Sequence, residues 1–232
     1  MSAPIRDQIL HLLKEKSVMK QDVFKNTTEV FEDLKKCVKG ISDDLGKEVS
    51  SVDKRVSIEC KFTGDFQAEM KVAGDMLVFF MHTNVFEFDK SHPMFKTSYV
   101  KNNEYNSYCG IIYVYNFLAD SFKYNRLADA GNLIARIFVN REKKFFLEAR
   151  GPLGYKYANF STVPISENEL MEIVYDLALF AITFDLMTPP AEMVRDISLH
   201  ELFQRVQTDK LKTGKRLGFK FQSEEKFGDD LE

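Results

Sequence analysis

Residues 56–72 read VSIECKFTGDFQAEMKV, and the fold turns on how this stretch pairs with itself. Val56, Ile58, Cys60 and Phe62 alternate with Ser57, Glu59 and Lys61, and then Phe66, Ala68, Met70 and Val72 alternate with Gln67, Glu69 and Lys71. A period of two is that of a half-buried strand, so the stretch is a hairpin with one apolar face. The Gly64-Asp65 dipeptide invites a two-residue turn. That register would set Phe62 opposite Gln67 and Ile58 opposite Lys71, mixing the faces. A three-residue connection, Thr63-Gly64-Asp65, pairs Phe62 with Phe66, Cys60 with Ala68, Ile58 with Met70 and Val56 with Val72, and keeps one face apolar. Ala73-Gly74-Asp75 forms a second such connection into residues 76–83, apolar on both faces at first, as a central strand would be.

Working outward toward the C-terminus, residues 95–100 and 108–118 are rich in β-branched and aromatic side chains and are expected to be strands, with His92-Pro93 marking a loop before them. In the longer of the two, Tyr113, Tyr115 and Phe117 share one face and Ile112 and Val114 the other. Residues 120–132 form an excursion or short helix with no assigned place. The next hairpin has a three-residue loop, Arg141-Glu142-Lys143, that opposes Val139 to Phe145, Ile137 to Leu147 and Ala135 to Ala149 on one face. On the other face it opposes Phe138 to Phe146 and Arg136 to Glu148. Gly151-Pro152-Leu153-Gly154 ends the sheet. Ser166 followed by Glu169 is a capping box opening a helix to about residue 187. Its apolar residues surround most of the circumference, which predicts burial between the sheet and a further layer. Thr188-Pro189-Pro190 stops it. A second helix is expected over 191–206, carrying Met193, Val194, Ile197, Leu202 and Phe203, followed by a charged tail over 208–232.

Working outward toward the N-terminus, Met19, Val23, Thr27, Val30, Leu34, Val38, Ile41, Leu45, Val49, Val52 and Val56 recur with an eleven-residue repeat. Eleven residues over three turns need almost no supercoiling to keep facing one partner. A short leading helix, with Ser2 as N-cap and Pro4 in its first turn, puts Ile5, Ile9, Leu12 and Leu13 on one side. Gly40 and Gly46 count against a long helix, at about 1 kcal/mol each relative to Ala. The helix either lies across the protein's own sheet or pairs with another chain. About 30 residues extend roughly 45 Å, longer than the face of a domain this size usually offers. That length points to an oligomer interface at Val23, Val30, Leu34, Val38, Ile41 and Leu45. The expected fold is α+β: a meandering antiparallel sheet covered by C-terminal helices and preceded by a long amphipathic helix. The expected divisions are a helical region over 1–53, a globular domain over 54–207 and the flexible tail.

Composition narrows the function only a little. Hydrophobic residues at 44% and charged residues at 29% describe an ordinary globular chain, while 21 Phe and 9 Tyr with no Trp describe a Phe-built interior. Net charge is -3, but residues 90–156 hold eleven basic against five acidic residues. Three cysteines, Cys37, Cys60 and Cys109, make neither a disulfide framework nor a zinc knuckle, and a reducing compartment suits them. Without a signal-like start, and with its longest apolar runs at 177–184 and 76–81, the chain is read as cytoplasmic and not membrane-bound.

The sequence carries no phosphate loop, nucleophile elbow, H-E-x-x-H helix, dinucleotide turn or EF-hand, and Gly214-Lys215-Arg216 lacks the spacing of a phosphate loop. His82, Glu87, Asp89 and His92 form the nearest cluster of chemistry-bearing side chains, and strand alternation would turn His82 away from the two acids. No catalytic residue, metal ligand or cofactor is assigned. The expected function is therefore that of an interaction or scaffold protein rather than an enzyme, one that self-associates or grips a protein partner through its N-terminal helix. The alternative is an anion- or nucleic-acid-binding surface built from Lys123, Tyr124, Arg126, Arg141, Lys143 and Lys144 beside the sheet aromatics, since Lys and Arg can hold phosphates and rings can stack bases. An enzyme whose site leaves no local motif is the third class.

Overall fold

Six strands run as an antiparallel meander in the order β1 (Ile58–Thr63), β2 (Gln67–Val72), β3 (Asp75–Met81), β4 (Cys109–Leu118), β5 (Asn132–Asn140) and β6 (Phe145–Ala149). The structure is a computed structural model and describes residues 3–185 together with 191, 195, 196 and 198–200. Helix α1 (Ala3–Leu12) continues through a π-helical stretch, Leu13–Ser17, into α2 (Val18–Val52). The remaining helices are α3 (Ser98–Asn102), α4 (Ala119–Lys123), α5 (Pro152–Lys156) and α6 (Glu167–Thr183). The arrangement is α+β.

One face of the sheet is covered by α2 and α6. Val30, Leu34, Val38 and Ile41 of α2 share a single core with Met70, Leu77, Ile112 and Ile137 of the sheet and with Leu170, Ile173 and Leu177 of α6. A boundary at residue 53 would cut that core in two, so the helical region is part of the globular unit. The approach is close where α2 crosses β4: a Cβ at Gly110 would stand 2.2 Å from the Thr27 hydroxyl oxygen. Gly46 likewise fits α2 against the start of β1, so the two helix glycines do not interrupt the helix.

Several expectations need correction. The β1–β2 ladder opposes Cys60 to Met70 and Phe62 to Ala68, with the loop at Gly64-Asp65-Phe66. The faces are as expected but the register is offset by two residues. Gly64 takes the positive φ of 64° within the loop, and Phe66 leaves the ladder to pack on Phe24 of α2, ring centroids 6.4 Å apart. The second connection has two residues, Ala73-Gly74, with Asp75 already opposite Val72 and its carboxylate accepting a hydrogen bond from the Asn116 amide at 3.0 Å.

Residues 95–100 are not a strand. His92 accepts from the Met94 N–H and Thr97 from the Val100 N–H, and these caps wind the segment into a 3₁₀ turn, Pro93–Lys96, and α3. Local capping outweighs aromatic β-propensity there. The segment lies on the outer face of the sheet and sets Met94 and Val100 against Cys109, Ile111, Phe138 and Phe146.

The β5–β6 ladder has the expected pairs throughout, and the capping box at Ser166 is formed. Helix α6 buries one face only: Leu179 is 60% exposed and Ile182 is exposed too. The expected second helix over 191–206 lies largely, and the tail over 208–232 wholly, outside the described residues.

The two edges of the sheet differ. Along β6, Leu147 N–H donates to the Tyr157 carbonyl, and Ser161 and Ile165 N–H donate to the carbonyls of Phe145 and Lys143, so the chain from 157 to 165 covers that edge. Among the described residues β1 pairs with β2 alone.

Candidate functional site

The long helix is used in two ways along its length. From Met19 to Ser42 its stripe is buried, and Val23, Val30, Leu34, Val38 and Ile41 are each almost inaccessible, with Leu45 packed partly against the same core. The residues expected to form an oligomer interface are thus covered by this chain itself, Val30, Leu34, Val38, Ile41 and Leu45 by the sheet and α6, and Val23 by Tyr108 with Val85 and Tyr105. A stripe of that period serves either purpose, and the sheet supplies enough apolar surface to take it. The surplus length falls elsewhere. Residues 3–18 extend about 24 Å at 1.5 Å per residue, and none from 4 to 18 is buried.

On that overhang Ile5, Ile9, Leu12 and Leu13 are each about half exposed. Their spacing makes one apolar stripe, with Arg6, Asp7, Lys14 and Glu15 beside it. In an uninterrupted helix Ile5, Ile9 and Leu12 would continue the line of Met19 and Val23. The π stretch at Leu13–Ser17 widens the turns between, rotating the overhang by up to about 100°, one residue's worth, away from the core line. Lys16 holds its base: the ammonium lies 5.2 Å from the centroid of the Tyr108 ring and 3.9 Å from the Glu87 carboxylate. The Tyr108 hydroxyl first, and then Glu87, raise its pKa above the ordinary lysine value.

The histidine and acid cluster does not converge. His82 Nδ1 accepts from the Asn84 N–H at 2.9 Å, Asp89 accepts from the Ser91 N–H at 2.8 Å, and Glu87 accepts from the Tyr108 hydroxyl at 2.5 Å. The first two are local turn bonds, and the third ties Glu87 to the residue before β4. His92 Nδ1 accepts from the Met94 N–H, which places the ring proton on Nε2, 3.6 Å from Glu148. Glu148 also pairs with Arg136. Burial by itself would raise the Glu148 pKa, and the His92 and Arg136 contacts more than offset it, holding the carboxyl below its ordinary range. A cleft of about 290 Å³ beside this group is lined by Phe86, Phe88, Tyr113 and Phe138 together with Glu87, Asp89 and Arg136, while His82 is not among its lining residues. Among the described residues no three His, Cys, Asp or Glu side chains are grouped to hold a metal ion.

The basic residues do not form one surface. Lys123, Tyr124 and Arg126 follow β4, whereas Arg141, Lys143 and Lys144 lie in the β5–β6 turn, and the nine residues of β5 hold the two groups roughly 25–30 Å apart. Arg126 is buried, 2.9 Å from Asp129. Lys143 lies 2.6 Å from Glu29 and Lys144 lies 3.0 Å from Glu142. The excess of positive charge in residues 90–156 is thus partly matched by partners, one of them, Glu29, far away in sequence. A nucleic-acid face of these six residues is not assembled.

The overhang is legible in the sequence as a one-sided helix, but the stronger stripe downstream hides which part of the helix exceeds the sheet. No family model matches the chain, and neither a curated protein nor a solved structure matches it. Among the described residues no helix is long and apolar enough to cross a membrane.

Proposed function

We propose that the protein is a non-enzymatic interaction or scaffold module whose overhanging N-terminal helix holds a protein partner or another copy of the chain. The observation that carries this reading is the exposed stripe Ile5, Ile9, Leu12 and Leu13 on a helix whose continuation is anchored in the core. Burying half-exposed aliphatic side chains contributes roughly 1 kcal/mol each, enough for a reversible contact when four act together. The rigid extension into α2 lowers the ordering cost of that contact. The reading places the protein in the cytoplasm, and the free thiols Cys37, Cys60 and Cys109 support a reducing compartment.

The test uses the full chain and its Ile9→Asp/Leu12→Asp variant. Light scattering from 1 to 100 µM is compared with photo-crosslinking from a probe at Leu13 in cell extract. The expected result is self-association, or a crosslinked protein, that is present in the full chain and lost in the variant. An association state and a set of crosslinks that are the same in both forms end this reading.

A further inference from the structure

The open edge of the sheet is self-complementary. The Ser57 carbonyl accepts from the Ala73 N–H at 3.1 Å, which turns the polar backbone groups of Ser57, Glu59, Lys61 and Thr63 toward β2. By alternation those of Ile58, Cys60 and Phe62 point outward, and β1 has no second strand beside it among the described residues. At the start of the strand α2 comes close, a Cβ on Gly46 standing 3.1 Å from the Ile58 carbonyl, so the part of the edge farther from the helix is the stretch from Cys60 to Phe62. Phe62 is 40% exposed on this edge. Between α2 and the start of β1 runs a groove of about 370 Å³, with Gly46, Val56 and Ile58 in its lining and the charged Asp43, Lys47 and Lys54 also facing it. The Ser42 hydroxyl is buried, at 3% residue exposure, with no hydrogen-bond partner.

We propose that two copies of the chain dimerise by antiparallel pairing of their β1 edges, with Cys60 on the two-fold axis. Only an even register joins outward groups to outward groups. Centring on Cys60 sets Ile58 opposite the second copy's Phe62 and Glu59 opposite its Lys61, twice over by symmetry. Moving the axis by one residue's pairing either way opposes Glu59 to Glu59 or Lys61 to Lys61, which like charges disfavour. In the favoured register the apolar residues of both copies stay on the inner face, and each Phe62 enters the groove beside the other copy's Ile58. The result is a continuous twelve-stranded sheet, its partner-facing edges paired as edge strands require to avoid open-ended association. This interface is independent of the overhanging helix.

The experiment measures the dimer constant of the full chain by sedimentation and the yield of a Cys60 disulfide under mild oxidation by copper phenanthroline and oxygen. Residues paired through hydrogen bonds on antiparallel strands have Cα atoms about 5.5 Å apart, within disulfide range, while Cys37 and Cys109 are buried. We expect a dimer that crosslinks, and no crosslink in Cys60→Ser. Lys61→Glu weakens the dimer roughly tenfold through the two symmetric pairs, and Glu59→Lys/Lys61→Glu restores it to within about threefold. The double exchange leaves both residues facing like charges on β2, so its recovery can arise only across the new interface. Ile9→Asp/Leu12→Asp leaves the crosslink unchanged. A chain monomeric at 100 µM overturns the proposal, as does a dimer that neither crosslinks at Cys60 nor responds to the charge exchange.

Discussion

At one end of the sheet β5 and β6 are held from three sides. Ile137 with Leu147 and Val139 with Phe145 fill the inner face, Phe138 stacks on Phe146 at 4.6 Å on the outer face, and the chain from 157 to 165 closes the edge. At the other end β1 and β2 meet the core on one face only. Their outer face opposes Glu59 to Lys71 and Lys61 to Glu69, and among the described residues no strand pairs with the edge beyond. The first hairpin is specified by shape on both faces, the second by apolar parity on one face and charge on the other. Burial is therefore denser at the β6 edge than at the β1 edge, and stability is expected to follow it.

Truncating one residue at each end is the strongest way to break this contrast. Ile137→Ala removes a fully buried side chain from the centre of the core and is expected to cost 2–5 kcal/mol, roughly. Phe62→Ala at the open edge should cost about 1 kcal/mol or less, because much of that ring is already in solvent. Urea unfolding of the two variants measures both. Similar losses would mean that the β1 edge is packed by something other than this chain's core.

The same contrast explains what could be read from the sequence. At β5–β6 the loop length, both sets of face pairs and the Arg136–Glu148 opposition all name one register, and that register is present. At β1–β2 apolar parity alone does not fix the register, because a slide of two residues preserves it. Charge breaks the tie. The expected register opposes Glu59 to Glu69, whereas the observed one opposes both acids to lysines. The strand expected over 95–100 failed because Thr97 and His92 offered backbone caps that composition alone does not weigh. The helix was legible as amphipathic, but which part of its stripe meets the sheet depends on where the chain returns, a long-range fact with no local sign.

The outer-face charge cluster of the closed hairpin comes next in size. Arg136→Glu or Glu148→Arg alone leaves a partly buried charge without its partner and is expected to cost on the order of 1–3 kcal/mol. The double reversal should recover only part of this, since residue 148 also lies 3.6 Å from the His92 Nε2, a contact that favours a carboxylate and not an arginine. Recovery of the whole loss would show that the His92 contact contributes nothing. The cluster also sets an acid response. The Glu148 carboxyl is held below its ordinary value, so it stabilises the fold at pH above the unfolded carboxylate pKa near 4.5. That contribution fades as pH falls through the lower folded value. Melting temperatures at pH 7 and pH 3 should therefore drop less in Glu148→Gln than in the parent, and equal drops would remove Glu148 from the acid response.

The smallest effect decides the register of the open hairpin. Glu59 and Lys71 stand 4.0 Å apart with Glu59 largely in solvent, so their attraction is worth only about 0.2–1 kcal/mol. A double-mutant cycle of Glu59→Gln and Lys71→Gln isolates it, because each substitution keeps the strand backbone and nearly the same volume. The expected coupling is favourable and shrinks on raising salt from 0.05 to 0.5 M, as a solvent-screened pair should. The companion cycle of Glu59→Gln with Glu69→Gln should give a value near zero, since Glu69 faces Lys61. In the alternative register Glu59 would face Glu69, and that second cycle would instead reveal a repulsion relieved by either substitution. The sign of one small number thus separates two ladders that bury the same faces.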